Sequence, residues 1–111
     1  MRVQRGDVFW VDPGESRGTE QAGRRPYLVL SHEVFNERSA SAITMALTSR
    51  PQRAGLPVAK ALDSGNLPKR SWVKIGHVRT ISLLRFGRRI GRVDEAEVNR
   101  IVEGLFDIVG P

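Results

Sequence analysis

The sequence predicts a mainly β fold closed by a C-terminal helix, in the simplest packing a small, partly open barrel of the SH3-like kind. Three observations carry this. Short apolar runs rich in β-branched and aromatic residues recur along the chain, separated by Gly- and Pro-rich stretches. One run, 42–49, alternates cleanly: Ile43, Met45 and Leu47 fall on one face, Thr44, Ala46 and Thr48 on the other. The last segment carries an apolar stripe at helical spacing. Many short strands and one terminal helix bury their apolar faces best as a curled sheet capped by that helix. A length of 111 residues favours one domain, 1–111.

The elements follow in order. "DVFWVD" (7–12) is short, aromatic and β-branched, a strand. "PGESRGTEQAGRR" (13–25) is a long polar loop, and long loops in small domains tend to be functional. "PYLVLS" (26–31) is a second strand, and 32–39 is one helical turn or a loop. After the strand at 42–49, the Pro- and Gly-rich 51–70 predicts a hairpin-like excursion with a weak strand near Val58. "SWVKIGHV" (71–78) is a strand with Gly76 as a bulge. A single helical turn within 80–87, ending at Gly87, and a last short strand at 88–94 complete the sheet. Asp94 then reads as a helix N-cap, with Glu95 and Glu97 at the positive end of the dipole. Val98, Ile101, Val102, Leu105, Phe106 and Val109 form the apolar stripe, ended by Gly110 and Pro111.

Composition narrows the function. The chain has no cysteine, so a disulfide framework and a thiolate zinc site are both ruled out. Its two histidines, His32 and His77, make no metal-ligand spacing. No HExxH, phosphate-binding P-loop or GxSxG motif occurs, and the carboxylates form no clustered pair, so neither a metal nor another cofactor is expected. No apolar run approaches a membrane span and the N-terminus has no signal-peptide pattern, which predicts a cytoplasmic protein with no membrane partner. A net charge of +6, carried mainly by arginine, suggests a polyanionic partner. Arginine is the better planar, bidentate phosphate ligand.

Several residues then stand out. Arg25 precedes Pro26, which pushes its backbone into the extended region and would aim a guanidinium from the start of a strand. A surface arginine flanking a strand has the same spacing. Thr48, Ser49 and Arg50 place two hydroxyls and a guanidinium at a strand end; such groups contact phosphates, and they also make ordinary polar turns. His77 can serve as acid, base or stacking group, though a lone histidine is more often structural or merely exposed. Trp10 and Trp72 could stack on bases, but each lies inside an apolar run, so core packing is expected for both.

Four stretches agree at once: "RGDVFWVD", "TEQAGRRPYLVLS", a strand ending in "LTS", and "VRTIS". In this order they resemble the MazF/PemK family of toxin endoribonucleases, from about Gln4 to the C-terminal helix. The block EQ-x-G-x-RP-x-L-V-L, with LTS and RTI behind it, is the specific part. The resemblance implies a homodimer of CcdB/PemK-type barrels that cuts single-stranded RNA (messenger, transfer or ribosomal) without a metal. The ribose 2′-OH would attack the adjacent phosphorus, leaving a 2′,3′-cyclic phosphate and a 5′-OH.

The family's catalytic arginine falls on Arg25 and its catalytic threonine on Thr48. Glu20, Gln21, Arg24, Ser49, Arg50, His77 and Arg79 fall where RNA would be bound. A cognate antitoxin with an acidic C-terminal segment is implied as partner. Two departures stand. Where some members carry an Arg and an Asp as acid and base, this chain has Lys74 and Gly76, and after RTI it has Ser82 where many have Asp. Two other readings compete: a CcdB-like gyrase-binding toxin, against which the ending "DIVGP" lacks a tryptophan, and a non-catalytic RNA-binding barrel.

Overall fold

A computed structural model describes residues 1–14 and 24–111. Its elements are β1 (Asp7–Val11), β2 (Arg25–Val29), α1 (Glu33–Ser39), β3 (Ser41–Thr48), β4 (Ala59–Ala61), β5 (Trp72–Ser82), a 3₁₀ turn (Leu83–Arg85), β6 (Phe86–Arg92) and α2 (Glu95–Val109). The strands form one six-stranded sheet in the order β4-β5-β3-β2-β1-β6, and every pairing is antiparallel.

Alternation along the strands builds two apolar clusters. Val8, Leu28, Met45, Leu47, Val73 and Ile75 face α2, which contributes Val98 and Ile101. On the opposite face Phe9, Val11, Tyr27, Val29, Ala42 and Ile81 pack together, and the Phe9 and Phe86 rings meet edge to face at 5.2 Å. The second face of β3 is therefore not simply solvated: Ala42 and Thr44 are buried, and only toward Ala46 and Thr48 does it open. Thr44 tolerates burial because its hydroxyl donates to the Arg79 carbonyl at 2.9 Å.

The sheet curls until the loop after β4 reaches β6. A Cβ on Gly91 would stand 2.4 Å from the Gly65 carbonyl oxygen, so the two backbones touch where the β4 and β6 edges share no ladder. Glu97 fastens this closure. Its carboxylate accepts from Lys60 Nζ at 2.6 Å, Asp63 N–H at 2.7 Å, Ser64 N–H at 3.0 Å and Ser64 O–H at 2.6 Å. Glu97, in the first turn of α2 as expected, is turned inward and buried. Asp94 does sit at the N-cap position, but its side chain makes no capping bond. At the other end of the closure, Gly6 needs its φ of +96°, and a Cβ there would lie 3.0 Å from the Val93 carbonyl.

The elements depart from expectation in four places. Residues 33–39 form a two-turn helix, with Asn36 buried and bonded to the Val3 and Ser31 carbonyls. β5 runs on through Ser82, because 79–82 continue the ladder with 41–44, and the helical turn shrinks to 83–85. β6 starts at Phe86, so Gly87 lies within a strand. The apolar stripe of α2 is buried only in its first half: Phe106 is 61% and Val109 69% exposed.

Candidate functional site

The ladder register assembles the site. β1 pairs with β2 so that Val11 meets Arg25 and Trp10 meets Pro26. β2 pairs with β3 from Val29 opposite Thr44 to Tyr27 opposite Ala46, and beyond that last pair Arg25 and Thr48 line the same cleft. β3 pairs with β5 so that Thr48 meets Trp72. Arg25, Thr48 and Trp72 therefore form a row at one end of three adjacent strands, which run ~4.8 Å apart, with Thr48 and Trp72 directly paired. Directly paired residues point to the same face.

Each side chain is prepared by its local backbone. Arg25 opens β2 in the extended conformation that Pro26 imposes, is exposed, and has no ion-pair partner among the described residues. The Thr48 Oγ1 accepts the Arg50 N–H at 3.1 Å, in a turn that fixes the side chain. Its own hydroxyl proton meets no acceptor among the described residues, so it is free to donate outward. An exposed guanidinium and one O–H therefore lie beside the same cleft.

A cleft of about 230 Å³ adjoins the row, lined by Trp10, Arg25, Thr48, Ser49, Leu67 and Ser71 among others. Arg24, Arg50, Lys69 and Arg70 are exposed around it. The Arg24 guanidinium reaches across β1 to lie over Gly87, where a Cβ would stand 3.5 Å from it. The opposite end of the sheet differs in charge. There Asp7 receives Arg92 at 2.7 Å, Glu33 receives Arg2 at 2.8 Å, and a second cleft gathers Gln4, Arg5, His32, Glu33, Asp94 and Glu95. The Arg2 bond, the largest influence, holds the Glu33 carboxyl below its ordinary pKa. Among the described residues, no three His, Cys, Asp or Glu gather as a metal-binding group.

The sequence-derived candidates divide accordingly. Arg25, Thr48, Ser49 and Arg50 come together, with Arg24 beside them. Glu20 and Gln21 lie outside the described residues. His77 and Arg79 sit further along β5. Val78 pairs with Met45, three residues from Thr48 and so ~10 Å along the strand, and His77 precedes it in the bulge between Val73 and Val78. That bulge contains Gly76, as expected. Lys74 is half-buried opposite Ala59.

Neither tryptophan belongs to the core. Both are half-buried and absent from the two apolar clusters; Trp10 lines the cleft, and Trp72 stands beside Thr48 with the Arg70 guanidinium 5.3 Å from its ring centre. Their neighbours in sequence are buried because strands alternate, so an apolar run alone could not reveal which face each ring takes. Ser82 also finds a role. Its hydroxyl accepts the Leu84 N–H at 3.2 Å and caps the 3₁₀ turn, a task that Asp performs equally well.

The chain is similar to known proteins over nearly its whole length. A model of PemK-like, MazF-like toxins of type II toxin–antitoxin systems matches residues 4–109. Endoribonuclease EndoA of Bacillus subtilis is 33% identical over 107 residues, covering 95% of this chain and 92% of the relative. MazF from Deinococcus radiodurans superposes with a TM-score of 0.80 at 23% identity, covering 100% and 99% of the two chains, which supports the fold. A mycobacterial endoribonuclease in complex with its cognate antitoxin superposes with a TM-score of 0.77 at 25% identity, covering 97% and 95%. The match spans the RGD turn, the Arg25–Pro26 strand start, the strand ending at Thr48 and the closing helix, and on it the chain belongs to the PemK-like, MazF-like toxin family of type II toxin–antitoxin systems.

Proposed function

We propose that this chain is an endoribonuclease toxin that cuts single-stranded RNA without a metal ion. The observation that supports this reading is that Arg25, opening β2, and Thr48, ending the neighbouring β3, line one cleft, with their donors unused among the described residues. In the reaction, the ribose 2′-oxygen bonds to the adjacent phosphorus as its proton leaves. The bond from phosphorus to the 5′-oxygen breaks, and that oxygen takes up a proton. The products are a 2′,3′-cyclic phosphate and a 5′-OH. Negative charge grows on the non-bridging oxygens, where the Arg25 fork and the Thr48 hydroxyl stabilise it. Arginine stays protonated, so Arg25 is a stabiliser and not the base. Water or Glu20 takes the 2′-proton, His77 being displaced along β5.

The surroundings suit this substrate. Arg24, Ser49, Arg50 and Arg70 add phosphate-binding groups around the row, and Gln21 and Arg79 extend the expected RNA path. The exposed Phe106 and Val109 side chains are the apolar surface through which we expect a second copy to dock, giving a homodimer in the cytoplasm. An acidic antitoxin segment would compete with RNA for the basic end of the sheet.

The test is cleavage of a long single-stranded RNA in EDTA, with product ends mapped and the mapped site then resynthesised with ribose or 2′-deoxyribose. Discrete cuts bearing 5′-OH ends, abolished by the deoxy sugar, are expected. RNA binding without cutting would support a non-catalytic RNA-binding barrel. Neither binding nor cutting would favour a gyrase-type poison.

A further inference from the structure

We infer that Trp72 is a base-stacking residue: its indole receives a nucleobase flanking the phosphate held by Arg25 and Thr48. This rests on the RNA-cleaving reading of the row and adds to it a platform for the substrate's base.

Three observations support it. Trp72 is the direct ladder partner of Thr48, so ring and hydroxyl rise from the same face with Cβ atoms ~5 Å apart. The ring is half-buried and belongs to neither apolar cluster, so it is not spent on the core. The exposed Arg70 lays its guanidinium 5.3 Å from the ring centre. A cation thus lies over the ring face, which shows that this face is open to a group from outside the core. Arg70 is long and solvent-facing, so it can yield the face and turn to the phosphate of the arriving nucleotide.

Chemistry favours a nucleobase as occupant. The row beneath is cationic and donor-rich, which brings the phosphodiester to Thr48. A ribose then places its base about one strand-width away, over Trp72. Every base presents a π-face, so stacking there holds the substrate without choosing a sequence. Trp10 stands differently, since it adjoins Pro26 in the cleft wall and does not share the row's face.

The experiment is a cycle between protein and RNA. Wild type, Trp72→Ala, Trp72→Phe and Trp72→Leu are assayed on a single-stranded oligonucleotide carrying the mapped site, and on two copies in which one or the other base flanking the cut is replaced by an abasic ribose. On the intact oligonucleotide, Trp72→Ala should lower kcat/KM by roughly 5- to 150-fold. On one abasic copy the wild type should lose a comparable factor and Trp72→Ala nothing more. Trp72→Phe should keep most of the activity, and Trp72→Leu, which fills space but does not stack, should behave like Trp72→Ala. If Trp72→Ala does not fold, the contrast of Phe with Leu carries the comparison.

Trp72→Ala cutting at the wild-type rate would overturn the inference. So would a loss of the same size on all three oligonucleotides, because a merely structural tryptophan does not sense the base. A wild type that cuts none of them would overturn the underlying reading of the site, and this one with it.

Discussion

Replacing Glu97 tests how the fold is closed. Its side chain is 3% exposed and holds the Lys60 ammonium, itself 12% exposed, at 2.6 Å. It also caps the Asp63 and Ser64 N–H groups. Breaking a buried charge pair costs about 3–5 kcal/mol, and each buried N–H left without an acceptor about 1–3 kcal/mol. These overlap, and Lys60 keeps the Ala61 carbonyl at 3.0 Å and the exposed Asp63 carboxylate at 3.2 Å. We therefore expect Glu97→Ala to cost about 3–5 kcal/mol, and Glu97→Gln, which keeps shape, about 1–3 kcal/mol. Urea titration reads this directly, and the Ala variant should also melt roughly 10–20 °C lower.

The pH dependence gives the sharper check. Burial alone would raise the Glu97 carboxyl, but the bonds from Lys60, Ser64 and the Asp63 N–H more than offset it, so the folded pKa lies below its ordinary value. A lowered carboxylate pKa contributes stability above the unfolded value of ~4.3, and that contribution is lost as pH falls through the folded value. The gap between wild type and Glu97→Gln should be constant near neutrality and close in acid. A gap that stays flat or widens to pH 3 would refute this reasoning.

Other expectations follow from the same geometry. Ser82→Ala should cost about 1 kcal/mol through loss of the 3₁₀ cap, with Ser82→Asp restoring it, by thermal melting. Arg50→Ala should weaken RNA binding at every sequence and reduce the slope of log affinity against log salt by about 0.7. His77→Ala should leave the pH–rate profile of cleavage unchanged, because His77 lies in the β5 bulge away from the Arg25–Thr48 row; loss of the acidic limb would instead make it the base.

The strands, the hairpin excursion, the Gly76 bulge and the closing helix were legible because alternation, Gly and Pro spacing and helical periodicity are local signals. Arg25 could be picked out for the same reason, since its constraint comes from the next residue. What could not be read was register. No local pattern says that Trp72 meets Thr48, or that Arg79 pairs with Thr44 and leaves the cleft. Pairing across the sheet also carried β5 past the expected end at 78. The inward turn of Glu97 depended on a loop more than thirty residues away. The exposed end of α2 shows a further limit of periodicity, which marks an apolar face but not what covers it.

The most direct test of the account is the single-turnover cleavage rate of the mapped RNA by wild type, Arg25→Ala, Thr48→Val and the double variant, with RNA affinity measured separately. If both side chains act on one phosphate, each single change should slow cleavage by ~10²–10³ while binding changes little. The double variant should then be scarcely slower than the worse single one, because residues acting as a unit are not additive. A Thr48→Val or Arg25→Ala protein that is folded, binds RNA and cuts at the wild-type rate would contradict the assignment of the row as the active site.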